Sequence, residues 1–235
     1  MQPARQQRRT LLGERSLHGL AGFTLIELMV TLSVIMLLAA LTVGGLSRAS
    51  AKGRQARVQA DLNQLITAIE SYKAALGTYP PDNPSNPARN PLRYELTGVV
   101  VDNERGEFRT AGGSQVLRPD VVKARLNVDG FANAVTDSAR VRQFLSPKSQ
   151  QVSTLSRDPN DVEVLVVPVA WPLRAAQQPI PEVPGLNPWR YLGPGNATNN
   201  VDSFDLWAEF VDGNHVRVMG NWRAEAYIDR PFERQ

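Results

Sequence analysis

One carboxylate stands in an otherwise uncharged stretch of the chain. From Phe23 to Leu46 the residues are almost all apolar, and Glu27 is the only charged side chain among them. An ionised carboxylate in apolar surroundings is costly unless it meets an opposite charge or hydrogen-bond donors. Glu27 is therefore the first candidate functional group, because an ionisable side chain in such surroundings usually marks a partner or a function. The alternative is an anchor whose Glu27 merely lies at a membrane interface.

A helix has to position this carboxylate. The 24 residues from Phe23 to Leu46 would extend about 36 Å at about 1.5 Å per residue, which is enough to cross a bilayer's hydrocarbon core with some tilt. The sequence therefore predicts a transmembrane helix over 23–46. An apolar stripe at helical spacing continues it from Ser47 to Leu76 as an amphipathic helix. The stripe consists of Val58, Leu62, Leu65, Ile66, Ile69, Tyr72 and Leu76.

The start of this stretch resembles a known family. Gly22-Phe23-Thr24-Leu25-Ile26-Glu27, followed by the apolar residues, resembles the processing site of type IV pilins and type II secretion pseudopilins. The resemblance implies cleavage by a prepilin peptidase between Gly22 and Phe23 and N-methylation of the new Phe23 amine. It also implies that Glu27 pairs with the N-terminal amine of a neighbouring subunit during assembly. Such a buried pair specifies register more than it adds stability.

The C-terminal part of the chain predicts a β-hairpin. Side chains alternate from Phe204 to Phe210, Asp212-Gly213 is a turn signal, and His215–Val218 returns as the partner strand. Short pieces here and at the helix end resemble the major pseudopilins, namely Gly77-Thr78-Tyr79-Pro80, Asn187-Pro188, Phe204-Asp205-Leu206 and Asn221-Trp222. The predicted fold is α+β and pilin-like. A long N-terminal helix, transmembrane in its first half and amphipathic in its second, packs on a small C-terminal antiparallel sheet.

The predicted organisation has three parts. Residues 1–22 form a cleaved cytoplasmic leader, 23–46 the transmembrane and assembly helix, and 47–235 a periplasmic globular domain. Relative to compact pseudopilins, residues 82–185 look like an insertion whose function the sequence does not indicate. Within it we expect strand at Tyr94–Val101 and either strand or helix at Asp120–Phe131.

Charge and composition limit the function classes. The formal net charge is +3, and the leader holds all of this excess in Arg5, Arg8, Arg9 and Arg15 against Glu14. The remainder is neutral, so we expect no nucleic-acid partner. The chain has no cysteine, which excludes disulfides and thiolate chemistry.

No catalytic constellation is visible in the sequence, and we expect no enzyme and no cofactor. In the pseudopilin family the loop after Asp-Gly often binds calcium, which makes Asp202, Asp205 and Asp212 the alternative metal ligands. Calcium prefers six to eight oxygens, and no acidic residue lies between Asp212 and Asn221. We interpret the four tryptophans as core aromatics in preference to the alternative, a sugar-binding platform. They are Trp171, Trp189, Trp207 and Trp222.

The function that the resemblance implies is structural. We expect a subunit of a type II secretion pseudopilus, processed by prepilin peptidase and assembled through its N-terminal helix to support protein secretion. Its partners would be identical or homologous subunits, membrane lipid and an inner-membrane assembly platform with its ATPase. The expected location is a single-pass protein of the bacterial inner membrane. The alternatives are a type IV pilus subunit for adhesion, motility or DNA uptake, and a membrane-anchored periplasmic enzyme or binding protein with residues 82–185 as its active region.

Overall fold

The computed structural model describes residues 23–113, 115–158 and 161–234, with side chains throughout these ranges except at 40–49. The chain divides into two compact units, Met1–Ser47 and Arg48–Gln235. Gly22, on the amino side of the predicted cleavage, lies outside the described residues.

The longest element is helix α1, Leu25–Leu76, of 52 residues. Its apolar stripe in the second unit is buried as the sequence predicts, with Val58, Ile69 and Tyr72 at 0 % exposure. Gly77 ends the helix in a left-handed conformation, φ 82°, and its N–H donates to the carbonyl of Lys73. A glycine adopts this conformation without the steric cost of a Cβ.

The C-terminal strands form one antiparallel sheet in the order β10-β9-β8-β7. The predicted hairpin is confirmed, since Asp212 of β8 pairs with His215 of β9 across a tight turn. Alternate residues of β8 bury against the second half of α1, where Leu206 is 0 % and Phe210 3 % exposed. The strands are β7 Arg190–Leu192, β8 Asp205–Asp212, β9 His215–Gly220 and β10 Tyr227–Pro231.

The central region carries two further sheets and a hydrophobic cluster of its own. One sheet has the order β3-β2-β1-β4 and the other pairs β5 with β6. The cluster gathers completely buried side chains from helices, strands and connecting segments, among them Tyr94, Val122, Leu155 and Ile180. The elements are α2 Leu92–Thr97, β1 Val99–Asp102, β2 Glu107–Thr110, β3 Val116–Leu117, α3 Pro119–Leu126, β4 Ala134–Val135, β5 Val152–Thr154 and β6 Glu163–Leu165, with 3₁₀ turns at Ser138–Arg140 and Ser149–Gln151.

Local predictions in the central region were partly wrong. The strand predicted at Tyr94–Val101 is divided, because α2 occupies its first four residues and Gly98 then turns the chain into β1. Asn90 favours the helix, since its side-chain oxygen accepts the N–H of Leu92 at 3.3 Å. At Asp120–Phe131 the structure has helix α3 as far as Leu126, and Asn127 ends it in a left-handed conformation, so residues 127–131 are neither helix nor strand.

The predicted fold class was wrong. Besides α1 and the C-terminal sheet, the chain has two further sheets in its central region, so it is a mixed helix-and-sheet protein with several, largely antiparallel, sheets and not a long helix on one small sheet. Within the described residues, no helix has both the length and the apolar character that crossing a membrane requires. This finding contradicts the predicted transmembrane half at 23–46 and, with it, the predicted single-pass location in the inner membrane.

Candidate functional site

The start of α1 exposes an unusual amount of apolar side chain. The large apolar residues between Phe23 and Leu38 are 46–80 % exposed. Exposed apolar surface of this extent, contiguous along the helix, is typical of interaction sites. We call the described residues 23–39 the apolar helix start.

Glu27 lies one turn into this segment and caps its own helix. Its Oε2 accepts the backbone N–H of Thr24 at 2.9 Å and the hydroxyl of Thr24 at 2.9 Å. In return, the Thr24 Oγ1 accepts the N–H of Glu27 at 3.3 Å. This reciprocal arrangement is a capping box, which satisfies N–H groups that have no partner within the helix. Sequence reasoning missed it, although Thr-x-x-Glu before an apolar run is its signal.

The capping box also determines the charge of the site. The backbone N–H of Thr24, and then its hydroxyl, hold the pKa of the Glu27 carboxyl below its usual value. The carboxyl is therefore ionised at neutral pH. Its second oxygen, Oε1, accepts no hydrogen bond from any residue in the described part of the chain, so one face of the carboxylate is available to a further donor.

Phe23 precedes this box and is 80 % exposed. Cleavage before Phe23 would leave a free amine on Phe23. This residue directly precedes Thr24, whose backbone N–H donates to Glu27. The structure thus places the predicted methylation residue and the predicted assembly carboxylate at the same helix end.

The three aspartates considered for calcium are not brought together. Asp205 is 1 % exposed and accepts the backbone N–H groups of Thr198, Asn199 and Asn200 at 2.8–2.9 Å. Asp212 pairs with Arg217 at 2.9 Å, and Asp202 is exposed. No cluster of three or more metal-ligating side chains is found among the residues with described positions.

The aromatic residues divide between core and surface. Trp171 and Trp189 are buried, as interpreted from the sequence. Trp207 and Trp222 are half-buried and meet edge to face, with ring centroids 5.9 Å apart. Because the two rings are inclined at 63°, they do not form a flat stacking surface.

A buried carboxylate that sequence reasoning missed lies away from the helix start. Glu95 of α2 is 0 % exposed and accepts the Tyr72 hydroxyl at 2.8 Å and the N–H groups of Ala132 and Asn133, each at 2.9 Å. It therefore joins α1, α2 and the segment before β4. Burial raises the pKa of this carboxyl, and the hydrogen bonds from Ala132, Asn133 and Tyr72 oppose the rise.

No protein-family model, no curated protein and no solved structure matches this chain.

Proposed function

We propose that the chain is a structural subunit of a filament, the pseudopilus of a type II secretion system, and that it supports protein secretion. The observation that carries the proposal is the apolar helix start, whose large side chains are 46–80 % exposed from Phe23 to Leu38. Covering such surface by association is favourable by about 25 cal/mol for each Å² removed from water. Many copies joined through this segment would cover it.

The proposal includes processing. A prepilin peptidase cuts between Gly22 and Phe23, and the new amine of Phe23 is methylated. Exposure of Phe23 supports this step, because a peptidase needs access to the bond it cuts. The residues around the site match the pattern described for pilins and pseudopilins.

Glu27 has two roles in the proposed assembly. One oxygen caps its own helix through Thr24, and the other accepts the Phe23 amine of a neighbouring copy. A charge-assisted hydrogen bond of this kind is stronger than a neutral one. It forms only in one register, so it aligns the copies along the filament. An assembly platform with its ATPase drives the process.

The test compares two isoleucines of similar exposure. Ile35 in the apolar helix start is 60 % exposed, and Ile228 on edge strand β10 is 51 % exposed. The full chain is produced with a prepilin peptidase and the assembly machinery, and sheared filaments are quantified by electron microscopy. Ile35→Lys is expected to abolish filaments, whereas Ile228→Lys leaves their yield unchanged. Equal yields from the two variants would contradict assembly through the helix start.

A further inference from the structure

A cleft of about 750 Å³ opens beside the second half of α1. It is lined by residues of α1 between 57 and 61, by residues of the segment 148–153, and by residues of the segments 166–170 and 185–187. The volume lies within the range of about 300–1,000 Å³ that is typical of binding sites in proteins.

The lining of the cleft combines apolar, polar and charged side chains. Val167 and Leu186 line it and are 4 % and 8 % exposed. Arg57 and Lys148 also line it, and neither makes an ion pair with any residue whose position is described. Asp61 is the one acidic side chain in the lining, which leaves the cleft with a net positive charge. Its chemistry suits an apolar side chain next to a carboxylate.

A loop of the same chain presents this combination. In the 199–203 loop, Val201 is 68 % exposed and the neighbouring Asp202 is exposed. Asp202 has no ion-pair partner in the described ranges. Asp205 accepts three consecutive backbone N–H groups at the start of the loop, which fixes the backbone directly before Val201.

The loop does not occupy the cleft of its own chain, since none of residues 199–203 lines it. The Ser203 hydroxyl lies 3.0 Å from that of Tyr79, which places the loop at the C-terminal end of α1. The Tyr79 hydroxyl also contacts Glu70 at 3.3 Å, and Arg57 precedes Glu70 by 13 residues, a separation of about 20 Å along the helix at about 1.5 Å per residue. A contact between loop and cleft therefore joins two copies. Because the two surfaces differ, such a contact can repeat without closing and extend a filament.

We propose that the 199–203 loop of one copy docks in the cleft of the next copy. Val201 packs against Val167 and Leu186, and Asp202 lies between Arg57 and Lys148. The inference rests on the proposed function, since it assigns the second contact by which the globular units follow one another in the filament.

The absence of native cysteine makes oxidative cross-linking of the full chain in cells unambiguous. Ala60 is exposed and lines the cleft. A chain carrying both Ala60→Cys and Val201→Cys is expected to form a ladder of dimers, trimers and longer products, while each single variant forms none. Ala60→Cys combined with Val116→Cys is the matched control, since Val116 is also an exposed valine, 41 % accessible, but lies on β3. It is expected to give no ladder.

Charge exchange tests whether Asp202 meets Arg57. Asp202→Arg or Arg57→Asp, each introduced into the double-cysteine chain, is expected to remove the whole ladder, dimers included, because every product forms through the same contact. Their combination is expected to restore the ladder.

Filament yield separates this proposal from the proposed function. Filaments without a ladder in the double-cysteine chain would overturn the loop-to-cleft contact and leave the proposed function intact. A cross-link from the cleft cysteine to a different protein would also overturn it. The absence of both filaments and ladder would overturn the two proposals together.

Discussion

The carboxylate of Glu27 accepts both the backbone N–H and the hydroxyl of Thr24, each at 2.9 Å. A single residue therefore has a local role in starting α1 and, in the proposed filament, a role between copies. These roles involve different oxygens, since only Oε2 is engaged by Thr24. They can be separated by mutation.

Glu27→Ala removes both roles, whereas Thr24→Ala weakens only the capping box. We expect Glu27→Ala to abolish filaments, because the carboxylate that accepts the neighbouring amine is lost. Thr24→Ala is expected to reduce filament yield only in part, since its backbone N–H still donates to Glu27. Both variants should be cleaved normally, as measured by the mass of the product. Filaments from Glu27→Ala at the normal yield would show that the pairing is not required.

The hydroxyl of Tyr72 is the only side-chain donor among the three described donors to the buried Glu95 carboxylate. Tyr72→Phe is expected to lower the free energy of unfolding by about 1–3 kcal/mol, because a buried acceptor loses a partner. Tyr227→Phe is the control, since no hydrogen bond joins the Tyr227 hydroxyl to any residue of the described ranges. It should change the stability by less than about 0.5 kcal/mol. Chemical denaturation of the full-length variants measures both effects, and equal losses would exclude a special role for the Tyr72–Glu95 contact.

Glu95 also predicts a pH dependence of stability. Burial raises its pKa in the folded chain above the ordinary value of 4.5, so the folded state binds more protons than the unfolded state between these two pKa values. Stability then decreases as pH rises through this window and levels off above it. Glu95→Gln cannot titrate, so the difference in unfolding free energy between wild type and this variant should change in that direction. A difference that stays constant with pH would contradict the shift.

Gly220 allows Trp222 to lie over the C-terminal sheet. A Cβ at Gly220 would come within 2.5 Å of the Trp222 ring, so Gly220→Ala is expected to cost about 1–3 kcal/mol through overpacking. At Gly112 an added Cβ would meet no described atom within 4 Å, and Gly112→Ala should be nearly neutral. Thermal unfolding compares the two variants, and similar transition temperatures would refute the steric account.

Periodicity predicted the amphipathic half of α1 and the β8–β9 hairpin, because each pattern directly reflects burial on one face. The buried Val58, Ile69 and Tyr72 and the pairing of Asp212 with His215 follow from local spacing alone. The central region was harder to predict. Tyr94 has the β propensity of an aromatic residue, but Asn90 and Gly98 at its flanks favour a helix.

Long-range contacts were beyond prediction from one sequence. The partners of Glu95 lie 23 and 37–38 residues away, and no motif joins them. The fold class and the membrane span were wrong because they were inferred from the family resemblance and from total apolarity. The capping box of Thr24 and Glu27 was predictable, because the spacing Thr-x-x-Glu before an apolar run is its sequence signal.

The most direct test of the central claim is the N-terminal residue and mass of the protein produced with and without a prepilin peptidase. The account predicts a chain that begins at methylated Phe23 only when the peptidase is present. A chain that still begins at Met1 in its presence would contradict processing, and with it the proposed assignment as a pseudopilus subunit.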